Sequence, residues 1–178
     1  MISNIYNYII RRYKKNFLIT YPKSGTTWLR YLIGVSIAKK GITYDELKHI
    51  CPDVHQDLLC VCEKTFLYSS HDQFDKKFNK HKVLYIVRDP RSVAISMYYH
   101  CINLGYFQEC EHSIDWYVKD VFCKTDINPF GLWIDHVIPW IMSRHPNLLL
   151  MKYEDLTANL YESLLKILVF FECEISRE

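Results

Sequence analysis

No stretch of the chain reaches the roughly 18 uninterrupted apolar residues that a membrane-spanning helix needs. No membrane span is therefore expected. The opening MISNIYNYIIRRYKK puts its basic residues after its apolar ones and interrupts the apolar run with Asn and Tyr. That is the reverse of a secretory signal. Net charge is also scarce. A formal +2 over 178 residues argues against the massed basic face of a nucleic-acid binder, and Arg11-Arg12 and Lys14-Lys15 read as solvated surface. No repeat, low-complexity tract or Pro/Gly/Ser-rich linker divides the sequence, so a single domain over residues 1–178 is expected. Seven cysteines form an odd, scattered set. Without an export signal they read as free thiols in a reducing compartment, which makes the expected location cytoplasmic. Cys51, His55, Cys60 and Cys62 fit no standard four-ligand zinc spacing, and no metal is expected.

What the chain does have is alternation. Asn16–Tyr21 reads as a buried strand. Thr26–Lys40 follows as a helix, with Leu29, Leu32, Ile33 and Ile37 at helical spacing and Gly41 closing it. Phe66–Ser69 is a short strand and KVLYIV (Lys82–Val87) a continuous apolar one. Asp89 then caps a helix that has Pro90 at its first position and runs to about Asn103. Further helices are expected over Asp115–Phe122 and from Asn128-Pro129 through Trp133, Val137 and Trp140, the latter kinked at Pro139. Asn147–Lys152 is another strand, and a terminal helix carries Leu160, Leu164, Leu168 and Phe171 on one face. Strands buried on both sides and separated by helices predict a three-layer α/β fold with a mainly parallel sheet. Ligands of such sheets bind beyond the carboxyl ends of the strands. The loops of interest are therefore Pro22–Thr27, Ser69–Asp72, Arg88–Arg91 and Tyr153–Asp155.

The first of these loops joins a strand to a helix through YPKSGTT. A helix N-terminus offers unpaired N–H groups and the positive end of a dipole, which together attract an anion. Gly25 permits close backbone approach, Lys23 adds a charge, and Ser24, Thr26 and Thr27 add donors. A plain turn with capping hydroxyls would look similar, although capping alone requires neither Lys nor Gly. The lysine precedes the glycine, so this is not the G-x-x-x-x-G-K-[ST] loop and its Mg²⁺ logic does not transfer. In YIVRDPRSVAISMYY, Arg88 at a strand end and Ser96 in the following helix offer a guanidinium and a hydroxyl to a second anion.

YPKSGTTWLR, YIVRDPRSVAISMYYH, FGLWIDHVIPW and LLLMKYEDL resemble, in order and approximate spacing, the cytosolic-type sulfotransferases. The resemblance spans roughly Phe17 to Phe171 and implies the P-loop-nucleotide-hydrolase-like sulfotransferase fold. The co-substrate it implies is 3′-phosphoadenosine 5′-phosphosulfate (PAPS). The acceptor would be a small-molecule or carbohydrate hydroxyl, or an amine. By this resemblance Lys23, Ser24, Gly25, Thr26 and Thr27 hold the 5′-phosphosulfate, with Lys23 also catalytic at the bridging oxygen. Trp28 would stack on adenine with Tyr153 nearby, and Arg88 and Ser96 would bind the 3′-phosphate. His71, in FLYSSHDQF, matches the catalytic histidine; from the residues themselves His136, in the Asp135-His136 pair, is the second choice of base, which the resemblance makes a framework position, and His100, after Tyr98-Tyr99, reads as lining an acceptor pocket. Two departures stand out. Ser69 occupies a position that is lysine in many members. The Arg-Lys-Gly loop that contacts the 3′-phosphate is absent before Glu178, as it would be in a C-terminally truncated chain, a shortened relative or one that makes those contacts elsewhere. A catalytically silent nucleotide-binding protein and, behind it, an ATP-dependent small-molecule kinase are the alternatives.

Overall fold

The computed structural model of the chain describes residues 14–109, 111–124 and 131–173. Its centre is four strands, β1 (Asn16–Thr20), β2 (Leu67–Ser70), β3 (Lys82–Val87) and β4 (Leu148–Lys152). All pair in parallel, in the order β2-β1-β3-β4. Phe17 sits opposite both Tyr68 and Val83, and Tyr85 opposite Leu150. The helices are α1 (Thr26–Ala38), α2 (Tyr44–Ile50), α3 (Pro90–Asn103), α4 (Ile114–Tyr117, continued by a π-helical turn over Val118–Phe122), α5 (Trp133–Met142), α6 (Tyr153–Ala158) and α7 (Leu160–Phe170).

Both faces of β1, β2 and β3 are covered, which is why β1 and β3 read as apolar runs and not as an alternation; β4 is more open, with Leu150 exposed. Phe17, Ile19, Val83 and Tyr85 pack on one face against Val137 and Trp140 of α5. Leu18, Leu84 and Ile86 pack on the other against Leu29 and Ile33 of α1, Leu47 of α2 and Ile167 of α7. Each such side chain, fully removed from water, contributes about 1.5–3 kcal/mol. A third cluster joins Tyr21, just past β1, to Val93, Met97 and Tyr98 of α3 and to Tyr117 and Phe122.

Several boundaries differ from expectation. α1 ends at Ala38 with Lys39 in the left-handed region (φ 53°), so Lys39 and not Gly41 closes it. α2 was not anticipated, although Thr43 and Glu46 form a full capping box at its start. Tyr153 opens α6 directly after β4, where a loop was expected; the tail helix, expected from about Asn159, does run from Leu160. The helix start expected at Asn128-Pro129 lies outside the described residues; α5 itself begins at Trp133, after an extended Leu132, and carries Pro139 within it.

β1 is central, and the chain crosses from β2 on one side of it to β3 on the other. That arrangement opens a crevice beyond the carboxyl ends of β1 and β3. The outer side of β2 is paired by irregular chain: Val54 N–H donates to Ser69 O, and Ser69 N–H donates to Pro52 O. This pairing brings the 52–57 segment to the rim of the crevice.

Candidate functional site

The turn after β1 is built under strain. Lys23 has φ 66° and Gly25 φ 90°, values that side-chain-bearing residues rarely adopt. A Cβ on Gly25 would lie 2.5 Å from Cε2 of Tyr153, so glycine is required by the packing as well as by the dihedral angle. Gly25 is also the N-cap of α1. It supplies no capping side chain, and no acidic residue occupies the first turn. The dipole and the leading N–H groups of a thirteen-residue helix are thus left for something else.

Among the described residues, two buried polar atoms beside this turn have no hydrogen-bond partner, Ser24 Oγ and Arg88 Nε. Buried donors without partners are uncommon and ask for an explanation. Arg88 comes from the end of β3. Its Nη1 donates to Lys23 O at 2.7 Å, and its guanidinium lies 4.4 Å from the centre of the Tyr153 ring. Tyr153 in turn meets Trp28 edge to face at 6.0 Å. The turns after β1 and β3 and the start of α6 are joined by these contacts.

A cleft of about 480 Å³ opens over them, lined by Lys23, Gly25, Thr26, Thr27, Trp28, Arg88, Ser96, His71 and His100 among others. Of the expected residues, Ser24 is buried below the cleft and Tyr153 backs Gly25; neither lines it. Burial, with the adjacent Arg88 charge, lowers the pKa of Lys23, while Cys101 acts in the opposite sense. Burial also lowers His100, with the Lys23 charge adding to it.

His71 follows β2 directly. Its Nδ1 lies 2.8 Å from Thr20 O. A carbonyl only accepts, so the proton sits on Nδ1 and the lone pair of the neutral ring on Nε2. Burial pushes the His71 pKa down, opposed by the Thr20 carbonyl and by the Asp53 and Asp72 charges. Thr20 also shares a 2.6 Å hydrogen bond with Thr26, which ties His71 to the first turn of α1 through Thr20.

His136, the second choice of base, does not line the cleft and is fully buried. Nε2–H donates to His71 O at 3.0 Å and Nδ1 accepts from the Tyr85 hydroxyl at 2.8 Å. With both nitrogens engaged it has no lone pair to offer an acceptor. Burial holds its pKa down at about 4.

The cleft also holds residues that sequence reasoning missed: Arg30, Tyr44, Asp53, Gln56 and Met97. Arg30 pairs with Asp57 at 2.8 Å and donates through Nε to Cys51 O at 2.7 Å, all buried. Its spacing from Thr26, one turn of α1, was the available signal. Asp53 and Gln56 arrive with the chain that edges β2, which no local pattern announces. Ser69, at the position of the family's lysine, is fully buried and reaches Pro52 O at 3.4 Å. Cys51, His55, Cys60 and Cys62 form no metal cluster; among the described residues no group of three or more His, Cys, Asp or Glu could hold a metal ion.

A sulfotransferase-domain family model matches residues 14–178, and the chain belongs to that family. It is 31 % identical over 169 residues to human sulfotransferase 2A1, covering 86 % of this chain and 57 % of that protein. To the amine sulfotransferase of Oryctolagus cuniculus it is 27 % identical over 175 residues, covering 91 % and 57 %. The chain therefore spans less than two thirds of the length of these relatives. Among solved structures, retinol dehydratase in complex with androsterone and inactive cofactor PAP aligns with a TM-score of 0.75 at 21 % identity, over 98 % of this chain and 64 % of that one. Mouse sulfotransferase SULT7A1 complexed with PAP gives 0.68 at 24 %, over 92 % and 60 %. These likenesses establish the fold. Among the described residues no helix is long and apolar enough to cross a membrane.

Proposed function

We propose that the chain moves a sulfuryl group from PAPS to a hydroxyl or amine of a small-molecule acceptor by in-line displacement at sulfur. The observation that carries this reading is the meeting, in one cleft, of an anion-ready turn and a neutral histidine whose Nδ1 is already committed. Ser24 Oγ, Arg88 Nε and the uncapped start of α1 form an unsatisfied donor set, which suits a ligand with phosphate groups.

In this reading Lys23, Ser24, Gly25, Thr26 and Thr27 hold the 5′-phosphosulfate, Arg88 and Ser96 the 3′-phosphate, and Trp28 and Tyr153 flank the adenine. PAPS supplies the sulfuryl group and a phosphate leaving group. His71 takes the acceptor proton on Nε2, and the Thr20 carbonyl stabilises the imidazolium through Nδ1–H. Lys23 and the N–H groups of α1 face the charge that develops on the departing oxygen. With serine at position 69, Lys23 carries that task without the second lysine found in many family members.

Titration calorimetry with 3′-phosphoadenosine 5′-phosphate and with AMP tests the nucleotide. Charge-assisted hydrogen bonds contribute roughly 1.5–3 kcal/mol each, so the bisphosphate should bind more than about tenfold tighter. Equal affinities, or selective binding of ATP with Mg²⁺, would point to a kinase. Tight bisphosphate binding with no transfer to hydroxyl or amine acceptors would leave a silent nucleotide-binding protein.

A further inference from the structure

β2 stops at Ser70, so the proposed base is the first residue of a loop, and loops are ordinarily the mobile part of a scaffold. This loop is fastened from below. His136 Nε2–H donates to His71 O at 3.0 Å and Trp140 Nε1–H donates to Asp72 O at 3.2 Å. The two donors lie one helical turn apart on α5 and take two consecutive carbonyls of the loop. Asp72 N–H adds a 3.0 Å bond back to Ser70 Oγ.

The donors are themselves held. Tyr85 stacks on His136 (5.9 Å, 23°) and on Trp140 (5.2 Å, 20°), and its hydroxyl donates to His136 Nδ1. That bond fixes the imidazole so that Nε2 carries the proton and faces the loop. His136 and Trp140 are both fully buried against an apolar cluster that includes Val137. Placing an imidazole there is unfavourable unless both nitrogens are satisfied.

We propose that His136 and Trp140 are positioning residues for His71, holding the peptide at 71–72 so that the imidazole meets the acceptor in one orientation. The proposal rests on the sulfuryl-transfer reading given above. General-base catalysis needs the acceptor proton within hydrogen-bond reach, and a displacement of about 1 Å can lower the rate roughly a hundredfold. Neither residue touches the cleft, so their effect passes through the backbone of His71.

The test uses the chain as it stands, labelled with ¹⁵N at histidine, in wild-type, His136→Leu, His136→Gln and Trp140→Phe forms. Leucine keeps the packing and removes the donor. Glutamine can donate to His71 O and accept from Tyr85. Phenylalanine keeps a ring and removes the N–H. The wild-type His71 ring should show a single tautomer with Nδ1 protonated. His136→Leu should mix the tautomers and lower kcat about tenfold to a hundredfold, with affinity for 3′-phosphoadenosine 5′-phosphate unchanged. His136→Gln should restore both readings, and Trp140→Phe should show a weaker form of the same defect. A leucine variant with the wild-type tautomer and rate would overturn the proposal, as would a glutamine variant that regains thermal stability without regaining the tautomer. A wild-type chain that transfers to no acceptor would instead overturn the sulfuryl-transfer reading, and the tautomer comparison would still decide the clamp.

Discussion

The turns after β1 and β2 face the same cleft and are built on opposite plans. Around the first, Ser24 Oγ and Arg88 Nε lack partners among the described residues, the helix behind it has no side-chain cap, and two residues sit at positive φ. Around the second, the His71 and Asp72 carbonyls, the Asp72 N–H and the His71 Nδ1 all have partners. Strain and unmet donors destabilise the free protein, and they persist where a ligand repays them. A fully bonded turn has little to offer a ligand beyond the one atom it aims. In the proposed reading the first turn binds and the second holds a base still.

Breaking either plan should separate binding from chemistry. The largest effect belongs to His71→Ala, which should lower transfer by about 10²–10⁴-fold while leaving affinity for 3′-phosphoadenosine 5′-phosphate near wild type. Transfer that survives would remove His71 as base. Gly25→Ala should do the reverse and weaken nucleotide affinity first, because the new methyl meets the Tyr153 ring and is strained at φ 90°. A loss of about 2 kcal/mol, some thirtyfold, is expected from calorimetry. Unchanged affinity would mean that the ring moves freely and that the turn is not a fitted cradle.

The second plan also predicts a pH dependence. A histidine whose folded-state pKa lies below its unfolded value stabilises the fold above the unfolded value. It loses that contribution as pH falls toward the folded one. For His136, lowered by burial from 6.5 to about 4, the window is pH 6.5 down to about 4. The contribution at stake is on the order of 3 kcal/mol. Urea titrations across this range should show the loss in wild type and a flatter profile in His136→Gln. Equal slopes would show that His136 is not the group responsible. The smallest effect compares two serines. Ser70→Ala removes an acceptor from Asp72 N–H and should destabilise by about 1 kcal/mol. Ser24→Ala removes an unpartnered hydroxyl and should leave stability equal or slightly higher, while weakening the nucleotide.

The legible parts of this chain were those whose cause is local. KVLYIV came out with the boundaries expected, because six residues buried on both faces leave an apolar run with polar neighbours. The Asp89-Pro90 helix start was readable because its cap and first residue are specified by their own chemistry. α2 was missed since only Leu47 of its seven residues is buried, which leaves too little periodicity despite the Thr43–Glu46 box. The site divides in the same way. The turn after β1 advertises itself through Lys, Gly and hydroxyls. His136, the second choice of base by residue type and a framework position by the resemblance, is engaged at both nitrogens by Tyr85 and His71, and the Arg30–Asp57 pair joins residues with no sequence signal between them.

The contacts that assemble the site are long-range: Thr20 O with His71 and Lys23 O with Arg88 are separated by 51 and 65 residues. The cleft therefore draws on segments far apart in sequence, and each of these contacts must meet the loop-closure entropy of its own connection before it forms. Assembly of the site is consequently coupled to folding of the sheet. A nucleotide that recognises the joined turns has nothing to bind in the unfolded chain, so it should act as a folding ligand, raising the apparent stability by RT ln(1 + [L]/Kd). Hydrogen exchange at Lys23 and His71 should slow together as it is added, even though the two residues belong to different turns.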